Sequence, residues 1–174
     1  MKRNQFTIML VLVGSILTSC SKSDIENDNQ YEKSLKAWLS FKETSNNSYS
    51  YVVTRYSWPD HRSETAITVT NGKVTQRHFK NTSVAGMENI PEEALEWIEN
   101  ENDLHTHSTS FAAQPQTLDE IYDTAKTHWL LKRKGSQPTF EAKNNGMIST
   151  CGFTAEGCMD DCFDGINIKS IEAL

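Results

Sequence analysis

Chemistry in this chain would have to come from three small groups of side chains. His105-Thr106-His107, preceded by Glu101 and Asp103, gathers imidazoles and carboxylates in one short stretch. Such donors suit zinc or a similar ion, and a metal-activated water held there would make the chain a metal-dependent hydrolase. The spacing is unspecific, and the same residues also read as a solvated polar loop. Asp160, Asp161 and Asp164, ahead of Gly165, offer hard oxygen donors for calcium. The twelve-residue calcium loop with its terminal Glu is missing, and a solvated acidic turn is the plainer reading. A serine nucleophile would need a Gly-x-Ser-x-Gly elbow, which the sequence lacks. The 8 glycines are scattered and form no phosphate-cradling loop. A carboxylate pair for glycoside hydrolysis cannot be picked out among 23 acids. No residue is assigned a catalytic role, and the reading leans away from an enzyme.

One cysteine has a different chemistry. Lys2 and Arg3 precede an uncharged apolar run from Phe6 to Leu17, and Leu17-Thr18-Ser19-Cys20 follows. Basic start, short apolar centre and small residues before a cysteine describe a signal peptide over 1–19, too short for a permanent membrane span. The tetrad resembles the bacterial lipobox, in which the thiol accepts a diacylglyceryl group. Cys20 is therefore expected to carry the lipid, palmitate among its acyl chains, and to hold the chain firmly at a membrane through its buried methylenes. Ser21 in place of Asp favours delivery to the outer membrane of a Gram-negative cell, facing either the periplasm or the exterior. Residues 20–30, polar and acidic after the cysteine, read as a flexible tether. The remainder, 31–174, is one domain's worth of chain.

Removing Lys2 and Arg3 with the signal leaves 15 of the 17 basic residues against 23 acidic ones, a net charge of −8. That balance argues against nucleic acid and against electrostatic attachment to anionic lipid. Acylation of Cys20 leaves three of the 4 cysteines for an exported domain, enough for one bridge and one spare. Cys158 and Cys162 share the turn Cys-Met-Asp-Asp-Cys and are the favoured pair; pairing of Cys151 with either is the rival. Cys151 shares a strand face with Met147 and Phe153, which points it toward the core.

The elements that would position these groups follow from periodicity. Tyr31, Leu35, Trp38 and Leu39 make one stripe of a helix over 29–44, with Asn27 and Asp28 as caps. Tyr49, Tyr51 and Val53 alternate with polar residues in a strand over 48–58. Strands over 64–70 and 73–80 flank Asn71-Gly72, a tight hairpin signal. Ala94, Leu95, Trp97 and Ile98 suggest a helix over 91–100, and 102–116 a long polar loop. Thr117 and Glu120 form a capping box for a helix over 117–134, closed by Gly135. Short strands are expected over 139–142, 147–153 and 165–171. The class is α+β: an antiparallel sheet of about five to six strands with two or three helices packed on one face. Trp38, Trp97 and Trp129 are expected in the core. Tyr56 and Trp58, at a hairpin tip before Pro59, are candidates for an exposed aromatic contact with a protein partner or a sugar. His61, His78 and His128 are isolated.

Ser-Tyr-Ser-Tyr-Val-Val-Thr-Arg at 48–55 and Ile-Thr-Val-Thr-Asn-Gly-Lys-Val at 67–74 resemble an uncharacterised bacterial, Bacteroidetes-like, lipoprotein family. Its members pair a Tyr-x-Tyr strand with a Val-x-x-Gly-x-Val hairpin. Thr-Leu-Asp-Glu-Ile-Tyr at 117–122 is similar to its later helix, and Gly146-Met147-Ile148-Ser149 to its strand pair, without the proline found there. Asp160-Asp161 falls where the family has an acidic pair. The resemblance spans roughly 30–172 and implies a fold and a location but no reaction; the Cys158 and Cys162 turn departs from it. The expected function is a membrane-anchored, non-catalytic binding or interaction module of the cell envelope with an envelope protein or glycan partner. The alternatives are a metal-dependent hydrolase using His105 and His107, and an immunity or inhibitor-type protein. No cofactor is expected beyond weak calcium or zinc binding.

Overall fold

The computed structural model describes residues 24–58, 60–84, 91–107, 111–160 and 162–174. The signal peptide, Cys20 and Asp161 lie outside the described residues. The order is α1 (Asp28–Thr44), β1 (Tyr49–Ser57), β2 (His61–Thr70), β3 (Lys73–Val84), α2 (Glu92–Leu95), β4 (Glu96–Asn100), α3 (Leu118–Thr124), a π-helical turn (Ala125–Trp129), β5 (Ser136–Glu141), β6 (Thr150–Ala155) and β7 (Phe163–Ala173). The strands form one seven-stranded sheet in the order β4-β3-β2-β1-β7-β6-β5, with every neighbouring pair antiparallel. The α+β class holds; the strand count exceeds the expected five to six. Among the described residues no helix is long and apolar enough to cross a membrane.

Alternation builds the centre of the sheet. Tyr49, Tyr51 and Val53 of β1 and Ile67 and Val69 of β2 are buried, while the residues between them are partly exposed. Asn71 and Gly72 take positive φ (50° and 79°) at the β2–β3 turn, as a two-residue hairpin requires. On α1, Tyr31, Ser34 and Trp38 face the core. Leu39 does not join that stripe and is exposed. Asn27 precedes α1 in the left-handed region without a side-chain cap bond, so neither Asn27 nor Asp28 caps it as expected.

Tyrosine hydroxyls sew the helical layer to the strands. Leu118 N donates to Tyr49 Oη at 2.8 Å, and Tyr51 Oη donates to Gln116 O at 2.6 Å. Tyr122 Oη lies 2.7 Å from Ser34 Oγ and donates to Ser34 O. Trp38 packs edge-on to Tyr49 with centroids 5.1 Å apart, and its Nε1 donates to Asp119 Oδ1 at 3.0 Å. Each polar tip thus finds a partner in an apolar surround, which keeps burial from costing a lost hydrogen bond. Burial raises the Tyr31 hydroxyl to about 12.

Three expected elements differ. The helix expected over 91–100 is one short turn followed by β4. A four-residue helix is poorly stable alone, whereas β4 sets Trp97 opposite Phe79 and Glu99 opposite Arg77 along β3. The helix over 117–134 keeps its Thr117–Glu120 capping box but becomes a π turn at Ala125. It ends at Leu130, whose N–H reaches back to Ala125 O. The tether expected over 20–30 is docked from residue 24 onward: Ile25 is buried and bridges Leu131, and Glu26 N donates to Leu130 O at 2.7 Å.

Candidate functional site

β1 is paired along both edges for only part of its length. On the β2 side the register runs unbroken from Tyr49 to Ser57. On the β7 side it runs from Tyr49↔Ala173 to Val53↔Ile168, with a bulge between Val52 and Val53, and stops. Beyond that point β7 keeps its β6 partners, from Thr150↔Asn167 to Thr154↔Phe163. The two strands therefore part like the arms of a V with its vertex at Val53 and Ile168. Bulges add local twist and bend a strand away from its partner, and this one sits where the arms separate. Lys169, the extra residue of the bulge, reaches across β1 to Glu64, with Nζ 2.7 Å from Oε1.

The space between the arms is a cleft of about 760 Å³, adjoined by a recess of about 390 Å³ beside Arg62 and Glu64. Thr54 and Tyr56 form one wall and Phe163, Gly165 and Asn167 the other; Phe111, Met159 and the Cys158–Cys162 bridge lie at the rim. Met159 stands out into solvent here at 91 % exposure; Trp58, on the turn after β1 and outside the cleft lining, is 74 % exposed. Tyr56 is 61 % exposed with the Arg62 guanidinium 5.7 Å from its ring centre. Gly152 and Gly165 face each other across β6 and β7, and the Phe163 ring lies over both. A Cβ on Gly165 would come within 2.3 Å of Cys151 O and 2.7 Å of that ring. The two glycines and the ring give the β7 wall a low, smooth profile.

His105 and His107 occupy a different place. Glu99 of β4 is fully buried, and its carboxylate gathers the loop that follows β4. Oε2 accepts from His105 N at 3.0 Å and Oε1 from His107 N at 2.5 Å and Thr106 Oγ1 at 3.3 Å. Arg77 of β3, 2 % exposed, donates from Nη1 to Oε2 at 3.1 Å. Burial alone would push the Glu99 carboxyl up. The amides of His107 and His105 and the Arg77 charge outweigh it and hold the carboxyl below the usual range. The His107 ring stacks on Trp97 at 4.5 Å, and the Arg77 guanidinium lies 4.7 Å from the same indole. This is a loop clamp. His105 enters it through its backbone and at positive φ (72°), and His107 through both backbone and ring. Among the described residues no three His, Cys, Asp or Glu side chains come together to hold a metal ion.

The acidic turn divides. Asp160 lies on the cleft rim. The Asp164 carboxylate turns to the π-helical turn, accepting from Trp129 Nε1 at 3.1 Å and contacting His128 Nε2 at 3.1 Å. Cys158 and Cys162 are bridged, and Cys151 is a buried free thiol whose pKa burial raises to about 12, which leaves it inert as a nucleophile. Sequence reasoning found Tyr56, Trp58 and the bridge but not Phe163, Gly165, Asn167, Arg77 or Glu99. The glycines facing across β6 and β7 were the available signal, since a strand-interior glycine marks a close backbone approach.

No family model, no curated protein and no solved structure matches this chain.

Proposed function

We propose that the chain is a lipid-anchored binding module of the cell envelope, without catalytic activity. In this reading residues 1–19 are removed, Cys20 is acylated and held in the outer membrane of a Gram-negative cell, and 31–174 is a single α+β domain of the lipoprotein family it resembles. The helices cover one face of the sheet and leave the other to a partner. The observation that supports the reading best is the cleft between β1 and β7 with its apolar rim. Exposed aromatic and thioether side chains around a concavity are costly to leave in water, and they commonly mark a binding surface. The partner is an envelope protein or a glycan, and an inhibitor-type role would use the same surface.

Two experiments test it. Metabolic labelling with palmitate should mark the wild-type chain and not Cys20→Ala; an unlabelled wild type would remove the anchor. A pull-down from solubilised envelope should recover a specific partner with the wild type and lose most of it with Trp58→Ala, the fold being unchanged. Recovery no better than an unrelated lipoprotein would contradict the binding reading.

A further inference from the structure

The ligand of the cleft can be narrowed by asking which backbone groups face it. Leu174 N donates to Ser48 O at 3.2 Å, and this sets the alternation along β1. Antiparallel strands direct the N–H and C=O of every second residue to the same neighbour. Ser48, Ser50 and Val52 therefore face β7. The register with β2 has no shift, so Thr54 and Tyr56 face the same way, into the cleft. On β7, Ile168 N donates to Ser149 O at 2.7 Å, toward β6. The residues between, Asn167, Gly165 and Phe163, turn their backbone groups back into the cleft. Both walls thus present edges of extended backbone, a template for another strand.

We infer that the cleft takes an extended segment of another polypeptide by strand addition. This deepens the binding reading above and rests on it. The dimensions agree. A strand residue rises about 3.3 Å, with neighbours about 4.8 Å to the side and sheets about 10 Å deep, so it fills roughly 160 Å³. A volume of about 760 Å³ then holds about five residues. The stretches over which β1 and β7 have parted are of comparable length, from Thr54 to the end of β1 and from Phe163 to Asn167 on β7. Since β1 and β7 are antiparallel, the guest lies antiparallel to one wall and parallel to the other in either orientation. Its side chains would alternate between two surrounds. One holds Val53, Phe111 and the bridge, with Arg55 on the same β1 face as Val53 and Asp160 also in the lining; the other is hydroxyl-rich, with Thr139, Thr150 and Thr154. The guest is therefore an extended segment with apolar and small polar residues in alternation, and main-chain hydrogen bonds supply much of its affinity.

The test uses the full chain in detergent and a set of seven-residue peptides alternating Val, Ile or Phe with Thr, Ser or Asn. Each peptide is also made with N-methyl groups at alternate positions, and neutral oligosaccharides form a second arm. Strand addition between the two walls predicts that some peptides bind, that N-methylation on either parity weakens them at least tenfold, since N–H groups of one parity face β1 and those of the other face β7, and that bound peptide slows amide exchange at Thr54 and Tyr56. Thr54→Pro removes a donor aimed at the cleft, a position where a strand tolerates proline, and should fold yet lose at least tenfold in peptide affinity. Peptide binding indifferent to N-methylation on both parities would overturn strand addition while leaving the cleft a binding site. Binding of oligosaccharides alone, weakened by Trp58→Ala, would do the same. Binding of neither class would overturn the proposal and count against the binding reading too. The N-methyl series needs no protein variant, so it decides even if Thr54→Pro fails to fold.

Discussion

One strand crosses two environments. From Tyr49 to Val53, β1 is zipped to both neighbours, and its inward side chains meet Trp38, Leu118 and Tyr122 under the helices. From Thr54 to Ser57 it keeps β2 and leaves β7, and its surround becomes a cleft with an exposed apolar rim. The first half is built for stability, with buried aromatics whose polar tips are all answered. The second half holds backbone edges and the exposed ring of Tyr56. A fold that has satisfied its core can leave such a region open, and the proposed binding site rests on that contrast. The Glu99 clamp belongs with the first half. Buried charge, two loop amides and a stacked imidazole fix 105–107 in one place.

The contrast can be broken from either side. Trp38→Ala removes the largest side chain over the closed half and should cost about 3–5 kcal/mol in chemical denaturation. A loss under 1 kcal/mol would mean the aromatic layer does not hold β1. In the open half, Gly165→Ala forces a methyl group against Cys151 O and Gly152 Cα, at 2.3 and 2.6 Å. Overpacking of this kind costs about 1–3 kcal/mol, and a neutral result would show that β6 and β7 can spread.

The clamp has a pH signature. Its carboxyl is held below the ordinary Glu value of 4.5, so its contribution is fully present above that pH and is lost as pH falls through the lower, folded value. Stability of the wild type should therefore drop in that acid window, and the corresponding part of the drop should vanish in Glu99→Gln. Equal acid profiles would remove the clamp's electrostatic role. Smallest of all, Trp58→Ala should change stability by less than about 0.5 kcal/mol, since the indole is 74 % exposed. A larger loss would place Trp58 in the fold and count against its being an exposed contact for a partner.

Local signals carried much of this architecture. Alternation at Tyr49, Tyr51 and Val53, the Asn71-Gly72 turn and the Thr117–Glu120 box each act within a few residues, and each reads directly. What failed depended on distant partners. Ala94, Leu95, Trp97 and Ile98 fit a helical stripe as well as a strand, and the choice falls to β3, where Phe79 and Arg77 wait for Trp97 and Glu99. The cleft is further from the sequence still. It exists because β7 returns from the far end of the chain to pair with β1, and because a bulge at Lys169 ends that pairing early. Nothing local to Thr54 or Asn167 announces either event. The exposed pair Tyr56 and Trp58 was legible from its place at a hairpin tip, without any hint of the cleft beside it.

The split of β1 is open to direct measurement in the protein without ligand. Amide hydrogen exchange, resolved by residue, should find Ser50 and Val52 slow, near the limit set by global unfolding. Thr54 and Tyr56, of the same parity on the same strand, should exchange at least a hundredfold faster, while Arg55 stays slow through its place in the β2 ladder. Equal protection at Val52, Thr54 and Tyr56 would contradict the account, because it would mean that β1 and β7 stay zipped and that no cleft exists.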